Sequence, residues 1–155
     1  MRSVLFVCTG NICRSPTAEA VFRSYVRDLD LAEEGVRYDS VGIQGYHIGE
    51  SPDDRSIKVA EGHGIDMSGL FARQLGMSDF DDFDFLIAMD KGHESAMHNM
   101  CNNEGQRAKV KLLLDYCEDC RGMDVPDPYY GAMDGFERTY NLIDKGVKAL
   151  IKAEF

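Results

Sequence analysis

The stretch VLFVCTGNICRSPTAEA, Val4 to Ala20, decides the reading of the whole chain. An apolar run, Ser3–Val7, has the composition of a buried strand and stops at Cys8. A small polar loop follows, Thr9-Gly10-Asn11-Ile12-Cys13-Arg14-Ser15. Pro16–Leu29 then has helical spacing, with Ser15 as its candidate N-cap and Pro16 at its first position. Gly10 and Asn11 tolerate unusual backbone angles, including positive φ. Such a loop can turn successive N–H groups inward as an anion nest, and the helix start adds partial positive charge. Arg14 supplies a planar fork that can hold two phosphate oxygens. The same surroundings favour a thiolate at Cys8, and Ser15 can donate a hydrogen bond to it. The spacing therefore places a nucleophile inside an oxyanion cradle. A Walker-type nucleotide loop is excluded, because no Gly-Lys-Ser/Thr follows.

Working outward, strand and helix patterns alternate. Arg37–Val41, Asp84–Met89 and Lys109–Leu114 read as strands. Asp53–His63, closed by Gly64, reads as a helix, as do Glu94–Cys101 and Gly135–Ala153, where Tyr140, Ile143, Val147 and Leu150 fall on one face. This pattern predicts one α/β domain over residues 1–155: a twisted, mainly parallel four-stranded sheet with helices on both faces. Ligands of such sheets bind beyond the carboxyl ends of the strands, where the Cys8 loop lies.

The chain has 155 residues, enough for one core, and carries 27 acidic against 17 basic residues, a net charge of −10. That balance argues against nucleic-acid binding. An anion site here must be local, built from amides, a helix end and one or two arginines. No apolar run reaches the roughly 20 residues that span a bilayer, and the N-terminal run is too short for a secretory leader. The expectation is a cytoplasmic protein without membrane insertion, its five cysteines reduced.

Val7 to Pro16, followed by Ala18-Glu19-Ala20, resembles the V-C-x-G-N-I-C-R-S-P signature of the low-molecular-weight protein tyrosine phosphatases. Asp127-Pro128-Tyr129-Tyr130-Gly131 matches a second, distant signature, and Gly45-Tyr46-His47-Ile48-Gly49 is similar to the family's G-W-H-x-G segment with Tyr for Trp. Ala72-Arg73-Gln74 and Ala88-Met89-Asp90 match further landmarks in the family's order.

The resemblance implies a metal-independent and cofactor-free phosphatase. In it Cys8 attacks phosphorus, Arg14 and the loop Thr9, Gly10, Asn11, Ile12, Cys13 and Ser15 hold the phosphoryl oxygens, and Asp127 serves as general acid and then base. Unaided, Asp127 before proline reads as a simple turn or as a loop presenting an acid at extended angles, and the Cys8 loop favours the acid. The resemblance makes Tyr46, Tyr129 and Tyr130 the walls of an aryl pocket, and phosphotyrosine-containing proteins the partners. Phosphate is then both product and competitive inhibitor, and the protein a monomer or weak dimer. It gives Cys13 a redox-regulatory role through a reversible disulfide with Cys8. Asn11 is expected to brace the loop, and Asp90 to support Arg14 or the Asp127 region.

The chain departs from the pattern behind the loop. Ser40-Val41-Gly42-Ile43 stands for the family's Ser-Ala-Gly-Thr, Gly92-His93 for Ser-Asn, and Ser68-Gly69-Leu70-Phe71 lacks the histidine many members carry there, which predicts an unfilled partner position beside Asn11. Rival readings of the same loop are an arsenate reductase, a protein arginine phosphatase of the same fold and a non-catalytic phosphotyrosine-binding module. Against them stand the close spacing of Cys117 and Cys120, Ile12 where arginine phosphatases usually carry Thr, and the pairing of Cys8 with Asp127. Cys117-Glu118-Asp119-Cys120 has no second cysteine pair to complete a zinc site and reads as two incidental thiols on a surface loop. In the stretch Asp79–Phe85 the acids are expected in solvent, with the phenylalanines anchoring the next strand.

Overall fold

Strand β1, Ser3–Cys8, is buried along its whole length. Its side chains alternate between two cores: Val4, Phe6 and Cys8 face one, Leu5 and Val7 the other. A strand covered on both faces has no polar side to show, which explains the unbroken apolar run. The structure, a computed structural model, describes residues 2–155. β1 pairs with β2 (Arg37–Gly42) and with β3 (Phe85–Ala88), and β3 pairs with β4 (Val110–Leu112). The order is β2-β1-β3-β4, and every pair is parallel.

Among the described residues six helices complete the fold: α1 (Arg14–Asp28), α2 (Asp54–Gly62), α3 (Asp79–Asp82), α4 (Lys91–Met100), α5 (Glu104–Arg107) and α6 (Met133–Glu154). The core under Val4 and Phe6 takes Val21 and Phe22 of α1 and Ile143, Val147 and Leu150 of α6. The core under Leu5 and Val7 takes Phe80 of α3 and Met97 of α4. The expected α/β domain is therefore present, and the sheet is wholly parallel. The chain leaves β1 toward β2 on one side and later returns to β3 on the other. Ligand crevices form where strand order reverses in this way, at the carboxyl ends of β1 and β3.

The ends of elements differ from expectation for local reasons. α1 begins at Arg14, with Cys13 at its N-cap, so Ser15 is inside the first turn and Pro16 at its third position. Proline is tolerated there because first-turn N–H groups have no partner within the helix. α4 begins at Lys91, earlier than expected, because the Asp90 carboxylate caps it by accepting from the His93 N–H at 2.8 Å. β4 is only three residues long, and the chain turns through a 3₁₀ segment at Leu113–Tyr116 and another at Glu118–Cys120. Gly64 does close α2: its φ is +76°, its N–H reaches the Glu61 carbonyl, and the Ile65 N–H reaches Ala60.

Two expectations about exposure fail. Asp79 is buried, because Arg73 and the Gly76 N–H both donate to its carboxylate. Cys117 and Cys120 are buried too, only 6% and 5% exposed, within the core that also holds Val125. Burial there pushes the Cys117 thiol up to about 11.

The end of β2 carries the Cys8 loop. Ile43 N–H donates to the Cys8 carbonyl and Gln44 N–H to Thr9, each at 2.9 Å. Gly42 sits so close beneath the loop that a Cβ on it would lie 2.8 Å from Gly10 C and Thr9 O. Gly42→Ala is therefore expected to lower stability by about 1–3 kcal/mol, because the atoms it meets are backbone and cannot rotate away. Chemical denaturation measures the loss, and a change below about 0.5 kcal/mol, the usual scale of a neutral surface substitution, would show that the loop yields freely.

Candidate active site

The Cys8 loop joins β1 to α1 and is held from beneath by its own side chains. Asn11 takes a left-handed conformation, φ +60°, which asparagine tolerates. Its amide donates to Ser15 Oγ at 2.8 Å and Ser40 Oγ at 3.0 Å, and its carbonyl oxygen accepts from the Arg73 N–H at 2.9 Å. Asn11 is thus fully engaged without the absent histidine, whose stretch contributes the buried Leu70 to the core instead. Gly10 keeps an ordinary φ. Its requirement is space, because a Cβ there would lie 3.0 Å from the ring of His47. Arg73 in turn is fixed by the carboxylates of Asp39 and Asp79.

Cys8 Sγ lies 2.9 Å from Ser15 Oγ. The Ser15 hydroxyl also lies 3.2 Å from the Val41 carbonyl, to which it can donate. With Cys8 protonated, the thiol can donate to Ser15 and Ser15 to Val41. With Cys8 ionised, the hydroxyl can turn to the sulfur. The serine therefore serves either protonation state without moving its heavy atom.

Arg14 is 3% exposed. Its Nη1 donates to Asp90 Oδ2 at 2.8 Å and to the Val125 carbonyl at 3.0 Å, and its Nη2 lies 3.4 Å from Thr9 Oγ1. Burial alone would raise the Asp90 carboxyl. The hydrogen bonds from the His93 N–H and Arg14 prevail and hold it below the usual range. Asp127 stands on the other side of the guanidinium, with Oδ2 3.7 Å from Nη2. Asp127 is exposed, and its Oδ1 accepts from the Tyr129 N–H at 3.1 Å.

A cavity of about 200 Å³ opens over the loop, lined by Thr9, Gly10, Ile12, Cys13 and Arg14 below and by Tyr46, His47, Asp127, Tyr129 and Tyr130 around its mouth. Ten residues thus meet there, and most are those named from sequence. Tyr46 and Tyr130 are 78% and 94% exposed, so neither is a core residue. Tyr129 is half-buried, edge-on to Tyr130 at 5.0 Å. Asn11 and Ser15 do not reach the cavity. Their buried side chains brace the loop from behind. Cys13 does line it, and burial, with Asp53 adding, pushes its thiol up to about 12.

Three residues were missed. His47 lines the cavity, and its Nδ1 is 2.9 Å from Glu50 Oε2. It follows Tyr46 directly in the Gly45–Gly49 stretch. Arg55 grips Asp53 with two nitrogens, reaches the Gly131 carbonyl at 3.5 Å, and stacks over Phe136 at 4.4 Å and Tyr129 at 5.5 Å, tying α2 to the Asp127 segment. His93 is buried against the loop, with Nε2 2.8 Å from Thr9 Oγ1 and 3.5 Å from Arg14 Nη2. Burial and Arg14 lower it to about 4, so it is neutral at physiological pH. With the proton on Nδ1, Nε2 accepts from Thr9, whose oxygen accepts from Arg14. Nδ1 is 3.2 Å from Asp90 Oδ1 but out of line for a hydrogen bond.

Residues 3–154 match the family model described as low molecular weight phosphotyrosine protein phosphatase. The chain belongs to that family. It is 44% identical over 151 residues to the low molecular weight protein-tyrosine-phosphatase YfkJ of Bacillus subtilis, covering 97% of this chain and 94% of the relative. It is 40% identical over 152 residues to the human low molecular weight phosphotyrosine protein phosphatase, with the same coverages. A crystal structure of a protein tyrosine phosphatase from Entamoeba histolytica, with Hepes in its active site, superposes with a TM-score of 0.91 at 36% identity, over 98% of this chain and 96% of that one.

Two predictions come from the groups behind the loop. His93→Gln keeps an acceptor near the place of Nε2 and should hold inorganic phosphate within about threefold of the parent. His93→Leu leaves the Thr9 hydroxyl without its partner and should weaken phosphate by about tenfold, the scale of one lost buried hydrogen bond. Isothermal titration with phosphate decides, and equal affinities for the two variants would remove His93 from the support of Arg14.

The second concerns Glu19, whose carboxyl is buried, accepts from Ser40 Oγ at 2.6 Å, and is pushed by burial from 4.5 to about 7. The folded chain holds that proton more tightly than the unfolded chain. Glu19's favourable contribution is therefore full below about 4.5 and lost as pH rises through about 7. The Tm of Glu19→Gln relative to the parent should rise between roughly pH 5 and 8. A difference that stays flat across that range would mean the charge is solvated.

Proposed function

We propose that this chain hydrolyses phosphotyrosine in proteins, with Cys8 as nucleophile, Arg14 and the loop amides as the phosphoryl cradle, and Asp127 as the proton donor. The observation that carries the proposal is one arrangement: the buried Cys8 at the root of the loop with its sulfur 2.9 Å from Ser15 Oγ, the buried Arg14 guanidinium lining the cavity over that loop, and the exposed Asp127 carboxylate 3.7 Å from it. Tyr46, Tyr129 and Tyr130 give that mouth aromatic walls, which suit an aryl ester.

The thiolate of Cys8 attacks phosphorus in line as the bond to the tyrosyl oxygen breaks. Asp127 gives that oxygen its proton. Arg14 and the loop amides stabilise the charge spread over the equatorial oxygens. A water molecule then attacks the phosphocysteine, Asp127 takes its proton, and the P–S bond breaks to return the thiolate and release phosphate. Phosphate, as product, competes for the same cradle. The two steps need no metal or other cofactor.

The partners are phosphotyrosyl proteins, met by a cytoplasmic chain acting as a monomer or weak dimer. Cys13 would act as resolving thiol under peroxide: peroxide oxidises Cys8 to its sulfenic acid, the Cys13 sulfur bonds to the Cys8 sulfur as the S–O bond breaks, and the hydroxyl leaves as water with the Cys13 proton.

The test is phosphate release from a phosphotyrosine peptide in EDTA across pH 4 to 8. The expected profile is a bell, with Cys8→Ser reduced about 10⁴-fold or more and Asp127→Asn about 10²–10³-fold. Folded parent protein with no turnover would overturn the proposal, and turnover of arsenate or phosphoarginine in its place would redirect it.

A further inference from the structure

Away from the cavity, the segment joining β4 to the Asp127 loop gathers three metal-ligating side chains. Sγ of Cys117, Sγ of Cys120 and a carboxylate oxygen of Asp119 all lie within 4.8 Å of one another. The backbone there is fixed. Cys120 N–H donates to the Cys117 carbonyl at 2.9 Å, Met123 N–H to Cys120 at 3.0 Å, and Gly122 N–H to Asp115 Oδ1 at 2.7 Å. Both thiols point at the same oxygen: Asp119 Oδ1 is 3.0 Å from Cys117 Sγ and 3.9 Å from Cys120 Sγ. The other oxygen, Oδ2, takes Lys145 Nζ from α6 at 2.5 Å.

We propose that Cys117, Asp119 and Cys120 form a binding site for a thiophilic divalent cation of the zinc type, separate from the phosphatase site. The chemistry of the donors supports this. Two thiolates and a carboxylate oxygen suit a borderline-soft d¹⁰ ion and not Mg²⁺ or Ca²⁺. Binding exchanges protons for metal: M²⁺ with two thiols and one carboxylate gives M(S)₂(O) carrying one net negative charge, and two protons leave to solvent. Lys145 on Oδ2 offsets that single charge and fixes the carboxylate so that Oδ1 faces the sulfurs. This ordering of a ligand by a partner on its far atom is the usual outer-sphere support of a metal site.

The geometry is close to what such an ion needs. Zn–S bonds of about 2.3 Å and Zn–O bonds of about 2.0–2.2 Å put tetrahedral ligand atoms roughly 3.5–3.8 Å apart. Cys117 Sγ, 3.0 Å from Oδ1, needs to open by about 0.5 Å, Cys120 Sγ, at 3.9 Å, to close by about 0.4 Å, and the two sulfurs, within 4.8 Å of each other, to close by about 1 Å or less. An entry path exists as well. The cysteines are buried, while Asp119 is exposed and forms the solvent side of the cluster. Three protein ligands with the fourth position open to water describe a site that exchanges its ion, in contrast to a closed four-ligand structural site.

The sequence alone lacked the second pair of ligands that a Cys-x-x-Cys usually needs. The fold supplies one further donor from between the two cysteines.

The test uses the full-length chain carrying Cys8→Ser, so that the loop sulfur does not compete, after reduction and removal of metal. Cd²⁺ is titrated in while the ultraviolet thiolate-to-cadmium absorption is followed. Zn²⁺ is then added to displace it. The expected result is a band that saturates at one equivalent per chain, reverses with Zn²⁺, and disappears in Cys117→Ser and in Cys120→Ser. Asp119→Asn should weaken Cd²⁺ by about tenfold or more, within the range for loss of a supporting ligand. Asp119 is exposed, so this variant remains decisive if a buried cysteine substitution fails to fold, as circular dichroism would show. No saturable band on folded protein would overturn the proposal, and so would a band unaltered by Asp119→Asn or by either cysteine variant that folds. Since no phosphatase assay enters, failure here leaves the reading of the Cys8 site untouched.

Discussion

Everything around the cavity depends on one buried cation. Arg14 sits in the first turn of α1 with almost no exposed surface, and an unpaired guanidinium there would cost far more than a single hydrogen bond can return. The fold answers with partners from three directions: Asp90 at the end of β3, the Val125 carbonyl before the Asp127 loop, and Thr9 within its own loop. These are not interchangeable contacts. The carboxylate balances the charge, the carbonyl locks the orientation, and the hydroxyl leaves Nη2 lightly held beside Asp127. The guanidinium is thus preorganised before any anion arrives, which is the condition for electrostatic stabilisation without reorganisation.

That one cation also places the other groups. Asp90 can neutralise Arg14 because it stands at the N-cap of α4, where the His93 N–H holds its second oxygen. Val125 is held in turn by donating its N–H to the Met89 carbonyl, one residue before Asp90. The path from β3 to Asp127 therefore runs through backbone and Arg14 with no long flexible step. Asp127 itself is released from this frame, touching Tyr129 N–H and facing solvent. The two aspartates carry the same group to the same arginine. Burial and partners make Asp90 a fixed counter-ion, while Asp127 stands exposed at the cavity.

Much of this was legible in the sequence because it is local. A strand, a loop of fixed length and a helix start place Cys8 and Arg14 in one turn of chain, and the alternation of strand and helix fixes a parallel sheet. Asp127 was legible through its motif and not through its neighbours. What could not be read is what depends on distant residues meeting. Nothing in the sequence says that His93 lies under Thr9, that Arg55 bridges to Gly131, or that Arg73 N–H reaches Asn11. Ser15 looked like a cap because capping is the local habit of serine before proline. The helix starts earlier, so its hydroxyl is free to serve Cys8 and Asn11. α3 and α5, four residues each, are too short to show a helical period.

The net charge of −10 sharpens the problem of holding a phosphate dianion. Ion pairs spread through the structure do not help, because a paired charge is nearly neutral from a distance. The chain keeps its acids close to its arginines around the site: Asp90 on Arg14, Asp53 on Arg55, Asp39 and Asp79 on Arg73. The donors that remain unbalanced are dipoles, the loop amides and the start of α1, whose N-cap Cys13 makes no side-chain cap. Dipoles of this kind act over a few ångströms and vanish beyond. They can bind a phosphoryl group that has entered the cavity without drawing anions to the surface at large, and the rim beyond them carries the exposed rings of Tyr46 and Tyr130 in place of unpaired charge.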